Sequence, residues 1–224
     1  MAINITDKTK CTGCEACASI CPRNCITMTE DACGFCYPKV DSTLCVECGL
    51  CEKVCPVTKA PEYKTTYTTR AYAGWSKDSE TRFNSTSGGI FSEVALTILE
   101  KGGFVAGAIY GENCEIMHGI FNTREGLDKI RQSKYAQSRI YDTFKRLEML
   151  LKEGESVLFC GTPCHVAALK KYLRKDYENL YLADIICHGV PSPLMFEEHI
   201  KNIEHTRKKK VKSYKCRSKV QGWH

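Results

Sequence analysis

The chain has 224 residues, 43% of them hydrophobic and 26% charged, with a formal net charge of +6. That is enough for one large domain or two smaller ones with a true core. No stretch approaches the roughly 18 uninterrupted apolar residues of a membrane span, and the opening MAINITDKTK lacks the apolar region of a secretory signal. Of sixteen cysteines, eleven fall in the first 55 residues and five in the remaining 169. A reducing, cytoplasmic location is expected, where dense cysteine reads as metal binding rather than disulfides.

Residues 1–57 read as one unit. KCTGCEACASICP (Lys10–Pro22) and LCVECGLCEKVCP (Leu44–Pro56) share the spacing C-x2-C-x2-C-x3-C-P, which bacterial-type ferredoxins use. A cubane cluster needs four thiolates at the corners of a tetrahedron. Three close cysteines wrap three corners, and the fourth lies too far along the chain, so it reaches the other cluster. The expected 4Fe–4S sets are Cys11, Cys14, Cys17 and Cys55, and Cys45, Cys48, Cys51 and Cys21. Pro22 and Pro56 turn the chain away, and Gly13 and Gly49 permit the tight loops. Structural zinc prefers two cysteine pairs far apart. Between the motifs, CITMTEDACGFCYPKVD (Cys25–Asp41) has the residues of a hairpin. Cys25, Cys33 and Cys36 fall outside the spacing and read as small buried residues of that hairpin.

Residues 58–70 read as a linker, rich in threonine and without periodicity. From residue 71 strands and helices alternate. AYAGWS (71–76) reads as a strand, GGIFSEVALTILEKGG (88–103) as a helix, and GFVAGAIY (103–110) and CEIMHGIF (114–121) as strands. IYDTFKRLEMLLKEG (140–154) is an amphipathic helix, SVLFC (156–160) a buried strand and HVAALKKYLR (165–174) a helix. LYLADIIC (180–187) is a further strand, and PLMFEEHIKNIEHTRKK (193–209) a helix. VKSYKCRSKVQGWH (211–224) resembles a strand just begun, which suggests a longer protein. The fold class is an α+β ferredoxin-like two-cluster domain (1–57) followed by an α/β domain (71–224) with a mainly parallel or mixed sheet.

Three stretches of the second domain carry chemistry. NSTSGGIFSEVA (84–95) places serines and glycines at a helix start, which cradles a phosphate or simply caps the helix. FCGTPCHVAAL (159–169) puts Gly161 to Cys164 between a strand and a helix, where open α/β sheets bind ligands. DIICHGVPSP (184–193) sets Cys187 and His188 on the same rim. Cys160, Cys164 and Cys187 converge if their strands are neighbours, either as a thiol nucleophile with His165 or His188 or as isolated buried thiols. No catalytic residue is assigned. The basic run RKKKVKSYKCRSK (207–219) reads as solvated surface or a dock for an acidic redox partner, and no nucleic-acid motif surrounds it.

STSGGIFSEVALTILEKGGFVAGAIY, KIRQSKYAQS, VLFCGTPCHVAALKKYL and LADIICHGVPSP together resemble the coenzyme F-420 hydrogenase/dehydrogenase beta-subunit family, in the bacterial version with a ferredoxin module at the front. The resemblance covers nearly the whole chain. It implies an iron–sulfur flavoprotein oxidoreductase that passes electrons between its clusters and FAD. The final partner is a two-electron acceptor or donor, the deazaflavin coenzyme or another small molecule. It also implies flavin contacts at Ser87, Gly88 and Gly89, at Lys134, Tyr135, Gln137 and Ser138, and at Gly161, Thr162 and Pro163. Longer relatives carry further cysteines, so Cys164 and Cys187 would be half of a third 4Fe–4S site only in a longer chain. Two other readings stay open: an electron-carrier subunit serving a redox partner protein, and a structural or sensor module that uses clusters as staples.

Overall fold

The computed structural model describes residues 2–5, 7–58, 68–220 and 222, so most of the expected linker lies outside the described residues. In the cysteine-rich part, helices α1 (Ala16–Ile20) and α2 (Leu50–Val54) each begin inside a cysteine motif. Each follows a residue in the left-handed region, Glu15 at φ 59° and Gly49 at φ 69°, and each ends at the fourth cysteine, Cys21 or Cys55. The two motifs thus fold alike. Strands β1 (Ile26–Glu30) and β2 (Cys36–Val40) pair antiparallel from Ile26↔Val40 to Glu30↔Cys36, the expected hairpin. Its turn closes on Asp31, whose Oδ1 accepts from the amides of Cys33 at 2.9 Å and Phe35 at 3.1 Å.

The second part is built from α3 (Ser79–Phe83), α4 (Ile90–Glu100), β3 (Phe104–Tyr110), β4 (Ile116–Phe121), α5 (Arg124–Ile130), α6 (Thr143–Lys152), β5 (Val157–Gly161), α7 (Pro163–Leu173), β6 (Leu180–Asp184) and α8 (Pro193–Arg207). Its sheet has the order β4-β3-β5-β6. The β3–β4 pair is antiparallel and the β3–β5 and β5–β6 pairs are parallel, so the sheet is mixed. Val157, Leu158 and Phe159 of β5 are buried, as their unbroken apolar run requires of a central strand.

Two expected strands are not formed. AYAGWS has no strand beside it; instead the Ser76 amide donates to the Gly88 carbonyl at 2.7 Å, tying the segment to the turn before α4. The described part of 211–224 is irregular too, and packs through side chains: Tyr214 meets Tyr110 edge-on at 6.4 Å between ring centroids. Conversely, α3 and α5 are short helices that periodicity does not reveal. Caps set their starts, with Asp78 accepting from Thr81 N at 2.7 Å and Thr123 Oγ1 from Gly126 N at 3.2 Å.

Of three buried hydrophobic clusters among the described residues, one runs through both parts. Cys14, Ala16 and Val54 belong to the same buried cluster as Ile140, Phe144 and Leu147, Phe159 of β5, and Leu169 and Tyr172 of α7. Phe144 sits at its centre, 5.6 Å from Tyr172 and 6.1 Å from Phe159 between ring centroids. Phe144→Ala is expected to cost about 3–5 kcal/mol. Denaturant unfolding followed by circular dichroism and by tyrosine fluorescence checks this, and the continuous core predicts one coincident transition for both probes.

Candidate functional site: two cysteine-lined cavities and a rim

Cys11, Cys14, Cys17 and Cys55 line one open cavity of ≈ 320 Å³, walled by Ile3, Met28, Pro38 and Val57. Cys21, Cys45, Cys48 and Cys51 line a second of ≈ 310 Å³, beside Pro22, Val46 and Leu50. In each case three cysteines come from one motif and the fourth from the other. The first, whose lining residues Gly13, Glu15 and Cys55 touch the α/β part, is the near cavity, and the second is the far cavity.

The donor set suits a multi-iron unit. Among the described residues no group of three His, Cys, Asp or Glu side chains is placed to hold a single metal ion. The thiols stand around a space instead of meeting at a point. Burial pushes the Cys14 thiol up to about 12, and raises Cys11 and Cys17 as well. Four thiolates there need a cationic centre to share their charge, which iron supplies. Amides already point at the sulfurs: Ile3 N reaches Cys51 Sγ at 3.2 Å and Glu47 N reaches Cys45 Sγ at 3.4 Å.

The near motif is clamped to the α/β part. Glu15, 4% exposed, sits between ligand candidates Cys14 and Cys17. Its Oε1 accepts from Arg139 Nε and its Oε2 from the Tyr141 amide at 2.9 Å. Gln137 Oε1 accepts from Cys36 N at 3.1 Å. Gly13 has no room for a side chain, because a Cβ there would lie 2.0 Å from Gln137 Nε2. On the other side Lys171 of α7 donates to the Cys55 carbonyl at 3.2 Å.

Two of the segments singled out in the α/β part, the serine–glycine turn and 131–138, meet at one rim. The Ser133 amide donates to Thr86 Oγ1 at 3.0 Å and Gln132 Nε2 to the Asn84 carbonyl at 3.2 Å, so the serine–glycine turn meets the 131–138 segment. Ser87 and Tyr135 are exposed there. Thr162 and Pro163 open α7, with Gly161 ending β5. Other residues of the set face inward. Lys134 Nζ donates to the carbonyls of Lys129, Ile130, Arg131 and Gln132 at 2.7–3.1 Å, closing the end of α5. Burial lowers its ammonium to about 8. Gln137 belongs to the clamp and Ser138 is buried. Gly88 and Gly89 are explained by the chain itself: a Cβ on Gly88 would lie 2.9 Å from the Gly74 carbonyl, and Gly89 has φ +88°. The segment from 214 lies across this rim, with Arg217 over the Tyr135 ring and Lys219 donating to the Ser87 carbonyl at 2.9 Å.

Cys160, Cys164 and Cys187 do not gather into a metal-holding group, because Cys187 lies beyond the end of β6 and is exposed. His165 reaches Cys164 only through Thr162, whose Oγ1 lies 3.0 Å from both His165 Nδ1 and Cys164 Sγ. Burial holds His165 down at about 4 and His118, 4.9 Å away between centroids, well below its usual value. Both imidazoles are neutral and buried. Reading by spacing missed three features: the Glu15–Arg139 pair, the inward role of Gln137, and Cys25, which lines the far cavity. Only the last left a signal, as an extra cysteine beside a motif.

Residues 10–59 match a 4Fe-4S dicluster domain. Residues 71–145 match the N-terminal part of the coenzyme F420 hydrogenase/dehydrogenase beta subunit, and residues 154–223 its C-terminal part. No curated protein matches the chain. These matches define an iron–sulfur oxidoreductase of the electron-transfer kind. The chain belongs to the coenzyme F420 hydrogenase/dehydrogenase beta-subunit family. Among the described residues no helix is long and apolar enough to cross a membrane.

Breaking a buried ion pair strands the surviving charge. Arg139→Met, which strands the buried Glu15 carboxylate, is therefore expected to cost about 3–5 kcal/mol. Glu15→Gln, which leaves the partly exposed guanidinium, is expected to cost less, and the double variant less than the two singles summed. Denaturant titration of all four proteins checks the cycle.

Proposed function

We propose that the chain is an electron-transfer flavoprotein with two 4Fe–4S clusters in residues 1–57 and FAD in residues 71–224, joined by a linker at 58–70. The observation that carries the cluster reading is the crossed lining of the two cavities, Cys11, Cys14, Cys17 and Cys55 around one and Cys21, Cys45, Cys48 and Cys51 around the other. The FAD reading rests on family membership and on the rim where Ser87, Tyr135 and Gly161 to Pro163 are exposed or half-exposed. Ser87 and the turn at Gly88 and Gly89 would hold it at the start of α4, and Thr162 and Pro163 at the start of α7. Lys134, Gln137 and Ser138 would shape the rim from behind. When bound, clusters move single electrons, and a flavin, which holds one or two, links them to hydride chemistry.

The chain's own residues set the order of the centres. The near cavity is the one held against α7 and the rim, through Glu15, Gln137 and Lys171. The far cavity, with Cys48 exposed, faces outward to a redox partner protein. The acceptor or donor at the rim would be the deazaflavin coenzyme or another small two-electron carrier. The chain's site of action would be a reducing, cytoplasmic one, where dense thiols stay available to iron.

A second reading has one observation in its favour. The segment carrying Arg217 and Lys219 lies over the rim, which suits an electron-carrier subunit with no substrate of its own. Anaerobic purification with iron, sulfide and flavin counted per chain separates the two. About eight irons with one flavin is the expected result, and about eight irons with no flavin leaves the carrier reading. Zinc in place of iron overturns both. Cys14→Ala and Cys48→Ala are each expected to lower iron to about four.

A further inference from the structure

Cys21 and Cys55 hold equivalent places in the two motifs. Each is the fourth cysteine of its own motif, ends its helix, and lines the cavity of the other motif. The local geometry repeats: Cys21 N donates to the Ala18 carbonyl and Cys55 N to the Glu52 carbonyl, both at 3.3 Å. A helix end leaves carbonyls that need a donor from elsewhere. After α1 the Cys21 carbonyl takes a neutral donor, the Asn24 amide at 3.2 Å, in a turn where Asn24 has φ 48°. After α2 the Cys55 carbonyl takes a charged one, the Lys171 ammonium of α7, also at 3.2 Å.

The two surroundings therefore differ in charge. Glu15 is the charged residue of the near lining, and Arg139 matches it. Lys171 adds an ammonium behind Cys55, on a half-buried side chain. Its neighbours Tyr172 and Leu173 are buried in the core, and α7 packs on α2, so the ammonium is held on a fixed element. The far lining carries Arg23 and Glu47, one of each sign, both exposed. Salt screens exposed charges well and a partly buried one much less.

We propose that Lys171 is a positioning residue that acts on the near cluster through Cys55: its ammonium raises the near cluster's reduction potential and favours the electron there over the far cluster. This rests on the two-cluster reading above. A reduced cluster carries one more negative charge than an oxidised one, so a nearby cation stabilises the reduced form. In the step that Lys171 favours, one electron leaves the far cluster, which is oxidised, and enters the near cluster, which is reduced. No bond forms or breaks and no proton moves. The contact places Lys171 among the outer groups that tune a metal site through its ligand.

Potentiometric titration followed by paramagnetic resonance tests this on the anaerobically reconstituted full chain, with iron counted per chain. Cys48→Ala leaves the near cluster to be read alone, and Cys14→Ala the far one. Lys171→Gln keeps a hydrogen-bond donor and removes the charge, while Lys171→Arg keeps both. In the Cys48→Ala chain, Lys171→Gln is expected to lower the ratio of reduced to oxidised near cluster about tenfold at fixed poise, a shift of about 59 mV for one electron. In the Cys14→Ala chain it is expected to leave the far cluster unmoved. Lys171→Arg is expected to stay close to the parent in both. An unmoved near-cluster midpoint overturns the proposal. So does an equal shift in both clusters, or a Lys171→Arg chain that behaves like Lys171→Gln. Loss of the near cluster's irons in Lys171→Gln overturns it too, because the residue is then a strut. Each of these leaves the two-cluster reading standing, whereas a reconstituted wild-type chain without iron removes that reading itself.

Discussion

The arrangement depends on one buried carboxylate. Glu15 stands in the loop between Cys14 and Cys17, held in a left-handed turn, and takes Arg139 and the Tyr141 amide on its two oxygens. A lone carboxylate at that depth would be costly; a paired one with a backbone amide is satisfied. Because the Arg139 backbone also bridges to Met117 of β4, the pair ties the first cysteine loop to the mixed sheet. Arg139 serves three elements at once: the loop through its side chain, β4 through its backbone, and Tyr141, over whose ring its guanidinium lies at 4.6 Å.

That anchor makes the two cavities unequal. Two lining residues of the near one touch the α/β part, with Lys171 on the Cys55 carbonyl and Gln137 against Gly13. The far one opens beside Val46 and exposed Cys48. Potentials of iron–sulfur centres respond to solvent exposure and to hydrogen bonds on the sulfurs, so two motifs of one spacing need not give equivalent sites. Sequence symmetry is broken by what each half packs against.

The rim of the α/β part shows a similar division of labour. Residues that resemblance assigned to a single ligand serve two tasks. Ser87 and Tyr135 border the rim, and Gly161, Thr162 and Pro163 join β5 to α7. Lys134 Nζ lies within hydrogen-bond distance of four carbonyls at the end of α5, and Gln137 accepts from the cysteine hairpin. Motif words in this chain therefore mark architecture as much as contact. A lysine that closes a helix end and a glutamine that bridges two parts look, in sequence, like any other polar residue near a ligand.

Spacing alone determined a great deal here. The crossed cysteine sets, the hairpin between them, the helices at 90–100, 143–152, 163–173 and 193–207, and the central strand at 157–161 all follow from local patterns. Local periodicity and loop reach fix such features, because they depend on residues close in the chain. The tertiary structure decided what local pattern cannot carry. AYAGWS has the composition of a strand but finds a turn instead of a neighbouring strand. Glu15 meets Arg139 across 124 positions, and Cys25 returns to Cys21 through one left-handed asparagine. Pairings of that kind are set by which surfaces the folded chain brings together, and no periodicity announces them.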